Sequence, residues 1–115
     1  MRELVAVYGT LKQGRGNHRI LETSQYLGDD WVSGFKLYES GIPFAVPTGV
    51  PEDRIKVEVY EVTDPDVMDS LDWLEGHPVH YKRKKILPDE WDEKVWVYTY
   101  PHDVSHYELN ETGVY

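Results

Sequence analysis

One helix with both ends written into the sequence, set among runs that read as strands, constrains this chain more than any other feature. In residues 64–78, Asp64 is a good N-cap. Pro65 suits the first helical position because its missing N–H would be unpaired there anyway, and Asp66 favours the positive end of the helix dipole. Gly76 can take the left-handed conformation that stops a helix, and Pro78 prevents it from resuming. At roughly 100° per residue, Met68, Leu71 and Glu75 fall within about 60° of one another, so the last carboxylate lies on the stripe expected to face the core. Burial and the negative helix end both disfavour its ionised form. A raised pKa suits a group that must accept a proton and then return it near neutral pH. The plainer reading of Glu75 is a solvated surface group. Asp72, one turn earlier, is a candidate partner in a two-carboxylate site, and a solvated helix edge is its plainer reading.

Around this helix the chain alternates short runs rich in β-branched and aromatic residues with Gly, Pro and Asp. Strands are expected over residues 4–7, 31–38, 44–47, 55–62, 81–87 and 95–100. Asn17 can cap a second helix reaching residue 26, with Ile20 and Leu21 as its apolar contacts. One helix interrupting a mostly antiparallel series is the order expected of an α+β fold: a small β-barrel or strongly bent sheet with helices on its outside and rim. Residues 1–115 fit one domain, with about 101–115 as a polar C-terminal arm or frayed tail.

The charge balance removes several function classes. A net charge of −9 argues against nonspecific binding to nucleic acid or to an anionic membrane. The run from Lys82 to Lys85 alternates with Tyr81 and Ile86 like an exposed strand edge. There is no cysteine, so thiol nucleophiles, disulfides and cysteine-ligated zinc are excluded. No apolar run approaches a signal core or a membrane span, which makes the cytoplasm the default location. His102 and His106 are four apart, but Pro101 and the acidic surroundings favour a solvated turn over a metal site. His77 and His80 carry no ligand spacing of their own. No serine sits in a GxSxG elbow.

The first strand runs into Tyr8-Gly9-Thr10-Leu11. A glycine directly after a buried strand allows close backbone approach, and the following N–H groups can form an anion- or oxyanion-binding turn. Gly14 and Gly16 loosen the next loop without making a phosphate-binding signature. The proline after Ile42 forces an extended or turning backbone that could present main-chain groups at a pocket mouth.

These stretches also carry a resemblance. Tyr8-Gly9-Thr10-Leu11-Lys12, Asn17-His18, Gly34 to Tyr38, Ile42-Pro43, Val57 to Val62, Leu71-Asp72 with Glu75-Gly76, Pro78, Tyr81-Lys82-Arg83 and Val97-Tyr98 stand in the order expected of the γ-glutamylcyclotransferase-like superfamily. The chain resembles its small branch, which includes γ-glutamylamine cyclotransferases and plant avirulence-induced proteins, up to about Tyr100. The resemblance implies a five-stranded-type β-barrel with flanking helices and a cavity where the Tyr8–Leu11 turn faces the acidic helix. It implies that Tyr8, Gly9, Thr10 and Leu11 hold a γ-glutamyl moiety through main-chain groups, that Glu75 is the catalytic acid/base, and, more weakly, that Tyr81 and Tyr98 line the pocket.

The implied reaction releases 5-oxoproline and a free amine by attack of the substrate's own α-amino group on its γ-carbonyl. It needs no metal or organic cofactor. The expected partner is a small γ-glutamyl compound, with the protein a monomer or weak homodimer. Two rivals remain: a noncatalytic small-molecule or protein-binding module on the same barrel, and amide hydrolysis by water with the Asp72/Glu75 pair.

Overall fold

The first strand of the chain is apolar on both faces, and it becomes the centre of a sheet. The computed structural model describes residues 1–115. Strand β1 (Glu3–Val7) buries Leu4, Val5, Ala6 and Val7 between two neighbours. It pairs antiparallel with β5 (Arg54–Val62), Val5 opposite Tyr60, and parallel with β7 (Val95–Thr99), Val5 opposite Trp96. Outside these lie β2 (Gln25–Ser33) and β6 (Lys82–Ile86), giving the order β2-β5-β1-β7-β6. The basic run occupies β6, an edge strand, where lysines discourage pairing with another chain. A second sheet has the order β4-β3-β8, with β3 at Phe35–Glu39, β4 at Pro43–Pro47 and β8 at Glu108–Asn110. The helix α1 (Pro65–Glu75) joins β5 to β6. No helix is long and apolar enough to cross a membrane.

The α+β class stands, but the barrel does not. No ladder joins the three-stranded sheet to the five-stranded one, so two separate sheets replace the closed wall. The reason lies at Gly34, whose φ of 88° turns the chain out of β2 and into β3. Gly34 N–H donates to the Asp53 carbonyl at 2.7 Å and its own carbonyl accepts from Thr48 N–H at 2.7 Å, which locks the corner. The single strand expected over 31–38 is therefore two strands in two sheets.

Two further expectations are corrected. The helix over 17–26 is reduced to a 3-10 turn at His18–Leu21, and Gln25 already begins β2. Asn17 makes no side-chain cap; its Nδ2 donates instead to Thr10 Oγ1 at 3.0 Å. Tyr26 pairs in register with Tyr60, their rings 5.6 Å apart, and that cross-strand partner outweighs a weak helical propensity. The C-terminal arm is docked rather than frayed. β8 pairs with β3, Lys56 N–H donates to the Gly113 carbonyl at 2.8 Å, and Asn110 Oδ1 accepts from Thr112 and Gly113 N–H in a local turn.

The five-stranded sheet has a different core on each face. On one, Leu4, Ala6, Ile55, Val57, Val59, Val95 and Val97 pack against Phe35, Leu37 and Ala45 of the second sheet. On the other, Val5, Val7, Tyr60 and Tyr98 pack against Val67, Met68 and Leu71 of α1. The second face holds the site.

Candidate active site

The sequence signals at both ends of α1 act as read. Asp64 has extended backbone (φ −98°, ψ 118°), and its Oδ1 accepts from Asp66 N–H at 2.9 Å. Gly76 is left-handed at φ 65°, and His77 N–H donates back to the Asp72 carbonyl at 2.9 Å. A Cβ at Gly76 would lie 2.8 Å from His80 Cβ, so glycine is required there for space as well as for φ. Val67, Met68 and Leu71 are buried, and Glu75 continues their stripe. The Glu75 carbonyl accepts from Tyr81 N–H at 3.1 Å, which ties the helix end to the approach to β6.

The turn after β1 is held from below. Lys12 N–H donates to the Gly9 carbonyl, Asn17 N–H to the Thr10 carbonyl, each at 3.0 Å, and His18 Nδ1 to the Leu11 carbonyl at 2.9 Å. With its carbonyls so engaged, the turn leaves the N–H groups of Gly9, Thr10 and Leu11 without a backbone acceptor. Gly9 is needed for a reason the sequence does not disclose. A Cβ there would clash with Pro43 Cγ, so only glycine lets the turn lie against the start of β4.

Helix end and turn meet at a cavity of about 260 Å³. Tyr8, Gly9, Thr10, Leu11, Glu75, Tyr81 and Tyr98 all line it. Ile42 and Pro43 also line it, and Pro43 opens strand β4, the extended alternative of the extended or turning backbone expected there. Asn17, Leu74 and His80 also line it, and none of them is among the site residues expected from the sequence. Asn17 reads as a helix cap, and His80 lacks any motif spacing. Leu74 is hidden beside Glu75 because only one stripe of α1 was expected to face inward.

The tyrosine hydroxyls of this wall are already committed. Tyr8 OH donates to the Tyr98 carbonyl at 2.6 Å and accepts from Ala45 N–H at 3.2 Å. Tyr81 OH donates to the Pro43 carbonyl at 2.9 Å, and Tyr98 OH to Asp72 Oδ1 at 2.6 Å. They offer ring surface and rigidity to the cavity rather than free donors. Burial, and then the nearby Glu75 charge, push the Tyr81 hydroxyl far above its ordinary range, so it stays neutral.

Glu75 is the one carboxylate that lines the cavity. It takes part in none of the chain's four ion pairs, and burial pushes its pKa up to about 7. Asp72 behaves differently. Arg83 grips it through two points, Nε to Oδ1 at 2.9 Å and Nη2 to Oδ2 at 3.2 Å, and it does not line the cavity. The two-carboxylate hydrolytic arrangement is therefore corrected: one acid faces the cavity and the other a guanidinium. His102 Nε2 donates to the Val79 carbonyl at 2.7 Å, and no cluster of His, Asp and Glu has the arrangement of a metal site.

The chain is similar to several known proteins. A Methanocaldococcus jannaschii protein, provisionally named a gamma-glutamylcyclotransferase, is 38% identical over 118 residues, covering 98% of this chain and 95% of its own. A Pyrococcus horikoshii protein with the same provisional name is 39% identical over 71 residues, a match spanning 62% of this chain and 58% of that one. The crystal structure of a mouse AIG2-like protein superposes with a TM-score of 0.84 at 27% identity, covering 99% of this chain and 88% of that one. The family model described as "Gamma-glutamyl cyclotransferase, AIG2-like" matches residues 5–115, so the likeness runs past Tyr100 through the docked arm, and the chain belongs to that family.

Proposed function

We propose that the protein is a γ-glutamylamine or γ-glutamyl-amino-acid cyclotransferase in which Glu75 carries the protons. The observation that bears most weight is an unpaired carboxylate, pushed up to about 7, in a cavity also lined by Gly9, Thr10 and Leu11, whose N–H groups have no backbone acceptor. Such a group is ionised often enough to accept a proton near neutral pH and acidic enough to return it.

The substrate enters with its α-amino group as an ammonium. Glu75 takes one proton from it, and the freed nitrogen attacks the γ-carbonyl carbon, closing a five-membered ring. The N–H groups of Gly9, Thr10 and Leu11 hold the α-carboxylate or the oxygen on which negative charge develops. The tetrahedral centre then collapses, the amide C–N bond breaks, and Glu75 returns its proton to the departing nitrogen. The ring nitrogen loses a second proton, which the released amine takes up as ammonium. Atoms and charge balance without water, metal or organic cofactor. The rings of Tyr81 and Tyr98 keep the folded substrate in the attacking geometry, worth a large part of the barrier for an intramolecular reaction.

The test is release of 5-oxoproline, followed by mass spectrometry, from a mixed panel of γ-glutamyl amines and γ-glutamyl amino acids. Wild-type protein is expected to release it, with kcat/KM rising through about pH 7 as Glu75 ionises. Folded Glu75→Gln should lose about 10²–10⁴-fold, the usual contribution of a general acid/base. Turnover that survives in Glu75→Gln would remove Glu75 from the role. A wild-type protein that binds panel members without turning any over would favour the binding module instead.

A further inference from the structure

Asp72 and Glu75 stand one turn apart on the same helix, yet only one of them has a counter-charge. At that spacing their Cβ atoms are about 5–6 Å apart, so a guanidinium engaged with one is within reach of the other. Arg83 is fixed on the Asp72 side by more than the ion pair. Its guanidinium lies 4.3 Å from the ring centre of Trp96, and Trp96 Nε1 donates to Glu3 at 2.8 Å. Arg83 N–H donates to His77 Nδ1 at 3.2 Å, just past the end of α1. The side chains of Asp72 and Arg83 are 23% and 22% exposed, shielded enough for their charges to matter.

We propose that Asp72 is a positioning residue for this site: by gripping Arg83 and accepting from Tyr98 it fixes the last turn of α1 against β6 and β7 and keeps the guanidinium off Glu75. An arginine paired with Glu75 would hold that carboxylate ionised and make it a poor proton acceptor. Asp72 prevents this by supplying the competing anion. Burial accounts for the raised pKa of Glu75, which is what a mutually cancelling Asp72–Arg83 pair would leave. The other ionisable groups that line the cavity with Glu75 are Tyr8 from the end of β1, Tyr81 from the approach to β6, Tyr98 from β7, and His80 from the loop after α1. Burial keeps the three tyrosines neutral.

The inference rests on Glu75 as the proton carrier, but its test needs no substrate. The Glu75 side-chain carboxyl is titrated by ¹³C NMR in wild type, Asp72→Asn, Arg83→Met and the double variant, with the His80 ring followed in the same spectra. Wild type should titrate near 7. Asp72→Asn leaves the cation unpaired, so the midpoint should fall by about one pH unit or more; Arg83→Met leaves the anion unpaired, so it should rise. The double variant should return towards wild type. A merely structural role would not move the two single variants in opposite directions. If either one misfolds, the sign of the other still decides. A midpoint unmoved, or moved the same way in both, overturns the proposal. Absence of turnover in wild type, by contrast, would count only against the catalytic reading.

Discussion

The two faces of the five-stranded sheet are built for opposite ends. Along β1 and β7, alternate residues divide between them: Leu4, Ala6, Val95 and Val97 to one side, Val5, Val7 and Tyr98 to the other. The side covered by β3 and β4 is mainly aliphatic, and Val57, Val59, Leu37 and Ala45 are fully excluded from water. The side covered by α1 gathers Tyr60, Tyr81, Tyr98 and Tyr100, and it keeps a cavity. Aliphatic side chains close a space because nothing but volume directs them. A tyrosine whose hydroxyl is bonded at a fixed distance can hold two walls apart. Tyr81 does so between the approach to β6 and the Pro43 carbonyl, and Tyr98 does so between β7 and α1. Both faces carry core, and the cavity lies mainly on the one that gathers the tyrosines, with Ala6 and Tyr8 reaching its lining from the other cluster.

The most direct way to break this contrast is to cut a hole in the aliphatic face. Leu37→Ala removes a fully buried side chain and should cost about 2–5 kcal/mol in urea unfolding. The KM and kcat of the protein that remains folded should stay close to wild type, since Leu37 is not among the cavity residues. A large change in KM with little loss of stability would mean that the two faces are not separate.

A second prediction concerns the cavity face. In the folded state Glu75 titrates near 7 rather than at 4.5, so the fold binds its proton more tightly than the unfolded chain does. The ionised carboxylate therefore destabilises the fold. This penalty is absent below about pH 4.5, grows between 4.5 and 7, and is complete above 7. At about 1.4 kcal/mol per pH unit it amounts to about 3 kcal/mol. The stability of Glu75→Gln relative to wild type should therefore improve by about that amount between pH 4.5 and pH 8. Denaturant melts at four pH values would show it. A gap that does not change with pH would place Glu75 in water and remove the cavity face from the comparison.

How much of this division the sequence discloses depends on where the determining interaction lies. Local signals were readable: the Asp64 cap, Gly76 at φ 65° and the stripe through Glu75 all lie within one helix. The glycine turn after β1 was readable too, though not why Gly9 must be glycine, because Pro43 is far away in sequence. The helix over 17–26 failed because Tyr26 is claimed by Tyr60, and the barrel failed because Gly34 sends the chain into a second sheet. The docked arm was hidden by its polarity, although Asn110 with Thr112 and Gly113 is a recognisable local turn. Asp72 was the least readable residue. Its spacing from Glu75 suggests a pair, and only Arg83, eleven residues later, shows that it belongs elsewhere.

The smallest expected effect gives the finest test of the contrast. Tyr81→Phe keeps the buried ring and removes only the hydroxyl that donates to the Pro43 carbonyl. One hydrogen bond of this kind is worth about 1 kcal/mol, well below the cost of the Leu37 hole. If the hydroxyls on this face hold the cavity open rather than hold the fold together, that small loss should fall on the rim. Pro43 and Ile42 would be freed from the segment leading into β6, the Gly9–Pro43 contact would loosen, and KM should rise several-fold while kcat changes little, because Glu75 stays in place. Steady-state kinetics beside a urea melt separates the two effects. A melt shifted by several kcal/mol with KM unchanged would make Tyr81 another core residue and the two faces alike.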